Sequence, residues 1–99
     1  MQLVRDYPFL GEARARRFAS SYGALCLRFL HGVSHEDQLG EAFGAGLTRA
    51  EVDYLVEEEW ARSPDDILWR RTKLGLRFTP EQHQRLTSYL GRQHQGYAA

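Results

Sequence analysis

Three times along this chain the same punctuation opens a helix, and that repetition limits the fold more than any other feature. The stretches are Thr48-Arg49-Ala50-Glu51, Ser63-Pro64-Asp65-Asp66 and Thr79-Pro80-Glu81-Gln82. In each, a hydroxyl stands where it can accept a hydrogen bond from an otherwise unpartnered backbone N–H of the first turn. Glu51 and Gln82, three places on, complete the capping-box pattern. Pro64 and Pro80 suit the first helical position, and the carboxylates favour the positive end of the helix dipole.

Apolar residues then recur at helical spacing. Val52, Leu55, Val56 and Trp60 form one expected buried stripe, and Leu86, Tyr89 and Leu90 another. Upstream, Ala15, Phe18, Ala19 and Tyr22 make a third stripe, stopped at Gly23. A fourth, Leu25, Cys26, Phe29 and Leu30, is stopped at Gly32. The helix opened by Ser63 is expected to end at Gly75. "GEAFGAGL", with glycines at 40, 44 and 46, reads as a loop. "LRF" at 76–78 is at most briefly extended, and the terminal "QHQGYAA" reads as frayed. No alternation long enough for a strand is visible. The expected fold is all-α, a small orthogonal or irregular bundle of about four to six short helices. It fills one domain, residues 1–99, with room for one modest core.

Charge is distributed unevenly although the net is zero. Residues 1–35 carry five basic and two acidic side chains, residues 36–66 two and ten, and residues 67–99 six and one. An acidic middle between basic flanks implies charges that meet on folding. Zero net charge also argues against a general nucleic-acid binder. No apolar run approaches the ~20 residues that span a bilayer. Met1 is followed by polar and charged residues rather than by a secretory signal. With Cys26 the only cysteine, an internal disulfide is excluded, and a reducing, cytoplasmic setting is expected.

Chemistry-bearing patterns are sparse. His31 and His35 are separated by the helix-breaking Gly32 and Ser34, and His83 and His94 lie far apart. No metal site is expected. Cys26 sits on an apolar face, where a thiol is inert. The glycines at 40, 44 and 46 are in the wrong order for a dinucleotide fingerprint, which also needs a preceding strand. No phosphate loop is present. No catalytic, cofactor-binding or metal-binding residue is therefore assigned.

The densest feature is "ILWRRTKLG", from Ile67 to Gly75. On an ideal helix Arg71 falls between the apolar directions of Ile67 and Leu68. It should be half-enclosed and tied to a carboxylate among Glu51–Glu59 as a structural ion pair. Trp69, Arg70 and Lys73 are candidates for contact with a partner. A nucleic-acid grip by Arg70, Arg71 and Lys73 is a third reading, weakened by the zero net charge.

These same residues carry a resemblance. "LGEAFGAGLTRAEVDYLVEEEWARSPDDILWRRTKLGLRFT", together with the upstream "YPFL" and "ARRFASSYG", closely resembles the C-terminal domain of bacterial aerobic FAD-dependent glycerol-3-phosphate dehydrogenases, over roughly residues 3–90. The resemblance implies a parent that oxidises sn-glycerol 3-phosphate to dihydroxyacetone phosphate, with FAD as cofactor and quinone as acceptor. It implies a peripheral parent at the inner face of the cytoplasmic membrane, with membrane contact only through that parent. It also implies that flavin and substrate belong to an N-terminal region absent from this chain, so the chain alone should be inactive. Its partner would be that region, through Trp69, Arg70, Lys73 and the 40–47 loop. A homo-oligomer remains open, and a free-standing helical interaction module is the alternative.

Overall fold

The computed structural model describes residues 3–93. The stretch "QHQGYAA", expected to fray, lies outside the described residues from His94 on, while Gln93 is the last residue of a helix. The helices are α1 (Leu3–Asp6), α2 (Glu12–Tyr22), α3 (Leu27–Leu30), α4 (Arg49–Glu58) and α5 (Pro80–Gln93), with a π-helix at Asp66–Arg71 between the last two. Single 3-10 turns at Pro8–Leu10, Gly23–Cys26, Glu36–Leu39 and Gly75–Arg77 bend the chain between them. The fold is all-α apart from one small hairpin.

That hairpin corrects the reading of residues 40–47 as a loop. Strands β1 (Ala42–Gly44) and β2 (Leu47–Thr48) pair antiparallel, with Ala42 opposite Thr48. Ala45 and Gly46 turn it with φ of 52° and 85°, the positive values that a tight hairpin turn demands. Phe43 and Leu47 anchor it in the core, and the Phe43 ring lies 5.3 Å from that of Tyr89 on α5.

Two expected stripes change phase for local reasons. α4 stops at Glu58, and Trp60 turns the chain at φ 64°, so that the backbone N–H of Ala61 returns to the Leu55 carbonyl at 3.0 Å. Ala61 is buried in consequence, while Trp60, expected inside, is 72% exposed and stacks with the Arg62 guanidinium. In the same way the 3-10 turn after Gly23 advances the chain faster than an α-helix. Cys26 and Leu30 go inward, and Leu25 goes out. Ala19 also lies on the exposed side of α2.

Several local signals hold, although Thr48, expected to cap α4, makes no side-chain capping hydrogen bond. Gly23 closes α2 at φ 56°. Ser63 Oγ accepts from the Asp66 N–H, and Thr79 and Gln82 cap each other reciprocally at 3.2 and 2.9 Å. Phe18, Leu30, Phe43, Leu55, Ile67, Leu86 and Leu90 meet in one core. Beside it Phe18, Tyr22, Phe29 and Tyr54 pack edge to face. The acidic middle meets both flanks, through Arg14–Glu36, Arg17–Glu51 and Arg28–Glu58 on one side and Arg71–Glu59 on the other.

Candidate interaction surface

The central segment is wound as a π-helix because of Thr72. Its backbone N–H and its hydroxyl both donate to the Ile67 carbonyl, at 2.9 and 2.7 Å, which fixes an i to i+5 register. Thr72 Oγ1 also accepts from the Leu74 N–H at 3.3 Å. This wider winding buries Ile67, Leu68 and Thr72 and puts the consecutive Trp69, Arg70 and Arg71 outside. A π-bulge is an uncommon device that is enriched at functional sites.

Gly75 does not end this helix. The chain leaves it at Lys73, whose φ is 61°, a conformation uncommon for a residue with a side chain. Gly75 serves another purpose: a β-carbon there would stand 2.3 Å from Trp69 Cε2 and 2.4 Å from Cζ2. The indole packs close against Gly75, yet the residue is 49% exposed. The next residue, Leu76, is 90% exposed. Trp69, beside Gly75, and Leu76, next to it in sequence, are thus large apolar side chains that the domain leaves half or almost wholly uncovered.

Arg70 reaches Asp66 at 3.5 Å across the exposed face of its own helix. Arg71 turns back to Glu59, 3.2 Å from its carboxylate and 3.1 Å from its carbonyl oxygen, with 45% of the side chain exposed. Lys73 goes a different way. It lines an open groove of about 1040 Å³, with α2 as one wall, the hairpin as another and the 72–77 turn as the third. The structure therefore brings Lys73 together with Gly40, Ala45 and Gly46, while Trp69 and Arg70 do not line the groove. Arg77 and the α2 side chains Arg14 and Arg16 do, and sequence reasoning missed them, as it missed Leu76. Neighbouring Gly75 was a weak pointer to Leu76. Arg14 and Arg16 gave none, because only the tertiary fold turns that face of α2 toward residue 73.

One more site went unseen. Glu51, expected to cap its own helix, makes no cap and is fully buried. Its carboxylate takes two hydrogen bonds from the Arg17 guanidinium, at 2.7 and 2.9 Å, and one from the Tyr22 hydroxyl at 2.5 Å. Burial, reinforced by the Glu51 charge, pushes the Tyr22 phenol far above its usual range. Burial works against the Arg17 cation, but its bonds to Glu51 outweigh that and raise its pKa. Arg17 also touches the Gly46 carbonyl at 3.4 Å, so this network underlies the hairpin wall of the groove.

None of this is a catalytic constellation. Among the described residues no group of three or more His, Cys, Asp or Glu gathers to hold a metal ion. Cys26 is wholly buried, and burial pushes its thiol pKa up, away from the reactive thiolate. The glycines do not fit a flavin: side chains of Arg49 and Gln82 already fill the space beside Gly40 and Gly44, and β1 leads into β2 rather than into a helix. Among the described residues no helix is long and apolar enough to cross a membrane.

With this geometry in hand, comparison with known proteins is informative. Residues 1–90 match the family model of the C-terminal domain of alpha-glycerophosphate oxidase. The chain is 48% identical over 93 residues to a glycerol-3-phosphate dehydrogenase of Pseudomonas aeruginosa, covering 94% of this chain and 18% of that protein. It is 43% identical over 89 residues to the aerobic glycerol-3-phosphate dehydrogenase of Escherichia coli, covering 90% and 18%. With D-erythritol 1-phosphate dehydrogenase of Brucella abortus it shares 39% identity over 77 residues, covering 77% and 15%. The chain thus spans less than a fifth of the length of these relatives.

Proposed function

Since the chain belongs to the family of C-terminal domains of alpha-glycerophosphate oxidase and glycerol-3-phosphate dehydrogenase, we propose that it is the non-catalytic helical cap of such an enzyme. The parent oxidises sn-glycerol 3-phosphate to dihydroxyacetone phosphate, uses FAD, passes the electrons to quinone and sits peripherally at the inner face of the cytoplasmic membrane. This domain packs against the flavin- and substrate-binding region and contributes stability and orientation.

The observation that carries the reading is the pairing of high identity along this chain with its small share of the relatives. A second point supports it. Enzymes named for two different polyol phosphates share this domain, so the domain is a poor candidate for the part that selects the substrate. The exposed Trp69 and Leu76 suit the contact role, since a buried inter-domain face is on the order of 600–1,500 Å².

An immunoblot of fractionated source cells, with antibody raised against this chain, gives the first test. A band several times larger than the chain, in the membrane fraction, is expected. The protein in that band should carry flavin and reduce a quinone analogue when given sn-glycerol 3-phosphate. A soluble band at the size of the chain would instead favour the free-standing interaction module.

A further inference from the structure

Resting on the reading that this domain belongs to a longer polypeptide, we infer that the groove between α2, the hairpin and the 72–77 turn seats an acidic stretch of that polypeptide's larger body. Lys73 and Arg77 are its counter-charges. Both line the groove, and neither has a carboxylate partner among the described residues. The cations around them do: Arg14 pairs with Glu36, Arg16 with Glu12, Arg17 with Glu51, Arg70 with Asp66 and Arg71 with Glu59. Two unanswered cations therefore share one short turn in a chain that neutralises most of the others nearby.

The backbone adds a second observation. Lys73 is held at φ 61° by the bonds of Thr72 on either side, a position where glycine would sit without strain. Strain of this kind persists where the surrounding structure over-determines it, and it clusters at functional positions. Here it sets an ammonium on the groove wall. Leu74, between the two cations in sequence, also lines the groove and offers an apolar contact there.

The occupant follows from charge and length. Glu12, Glu36 and Asp37 also line the groove, so a uniformly charged phosphate polymer would meet repulsion along its walls. A peptide with one or two carboxylates opposite Lys73 and Arg77 carries far less charge to be repelled. More than four-fifths of each similar enzyme lies outside the matched stretch, which makes a segment of the same polypeptide the available partner. Tethering supplies it at high effective concentration, so even solvent-exposed charge pairs can hold it.

Lys73 is the only lysine in the chain, which gives the test its specificity. The full-length enzyme is treated with a carbodiimide, which joins an amine to a carboxylate in direct contact with loss of water, and the linked peptides are mapped. An amide from Lys73 to an Asp or Glu outside this domain, within the same polypeptide, is expected. Double charge reversal, Lys73→Glu with Arg77→Glu, should remove that product. It should also speed proteolytic cleavage between the domains by roughly tenfold or more, because cleavage tracks the open population. A Lys73 product confined to Glu12, Glu36 or Asp37, a product joining two polypeptides, or no Lys73 product at all would each overturn the inference. Flavin content and glycerol-phosphate oxidation of the wild-type protein are read separately. Their absence would sink the enzyme assignment whatever Lys73 is joined to.

Discussion

Glu51→Ala should destabilise this domain by about 3–5 kcal/mol, the range for breaking a buried ion pair from one side. The figure follows from what remains. Glu51 is fully buried, and the Arg17 side chain is only 16% exposed, so the guanidinium left behind has little access to water. Three hydrogen bonds vanish together, and Tyr22 is left with a buried hydroxyl and no acceptor there. For a domain of this size each kcal/mol lowers Tm by about 4–8 °C, so the variant should melt well over ten degrees lower. Against a total of about 5–15 kcal/mol, this is a large fraction of all the stability available. Urea titration followed by far-UV circular dichroism gives the midpoint, and an unchanged slope shows that the same surface is exposed on unfolding. The companion variant decides the cause. Arg17→Met with Glu51→Leu removes both charges and fills the space, and should recover most of the loss, since apolar replacement of a buried pair is often neutral or better. If Glu51→Ala costs under about 1 kcal/mol, or if the double variant is worse than either single one, the idea that burial makes this carboxylate indispensable to Arg17 is wrong.

Three further outcomes follow from the same geometry. Gly75→Ala places a β-carbon 2.3 Å from the Trp69 ring, so the indole must swing into solvent. A loss of about 1–3 kcal/mol and red-shifted Trp69 emission, read in a Trp60→Phe background, are expected. Lys73→Gly relieves a positive φ and should raise stability by about 0.5–1 kcal/mol while abolishing any carbodiimide product at residue 73, a gain in Tm bought with function. Raising the pH should unfold the protein by way of its tyrosines. Burial holds the Tyr22, Tyr54 and Tyr89 phenols above the usual value near 10, with Glu51, Glu59 and Asp53 adding to it. Their contribution is complete below pH ~10 and is lost as pH rises further, because only the unfolded chain then releases the protons. Phenolate absorbance from the buried tyrosines should therefore appear in one step with the loss of circular dichroism.

What could be read from the sequence was what neighbours along the chain determine. The caps at Ser63 and Thr79, the stop at Gly23, the inward face of α5 and, Ala19 apart, that of α2 all depend on residues a few places apart, and these were legible. Trp60 and Leu25 were misplaced because one extra left-handed residue or one 3-10 turn shifts a stripe by most of a residue's rotation, and apolar spacing does not register that shift. The hairpin escaped because its strands are too short to show alternation, and its glycines resemble a loop. Glu51 is the instructive case: its local pattern spelled a cap, but its partners Arg17 and Tyr22 stand 34 and 29 residues earlier. The groove has the same origin, as its walls come from three separate parts of the chain.

The indole of Trp69 occupies the place where any side chain at 75 would begin. As these enzymes diverge, the two positions are therefore not free to drift apart. A lineage that gains a β-carbon at 75 must first, or at once, give up the large ring at 69, whereas one that shrinks residue 69 is released from glycine at 75. The order of such changes across a family tree would carry the imprint of this single close contact.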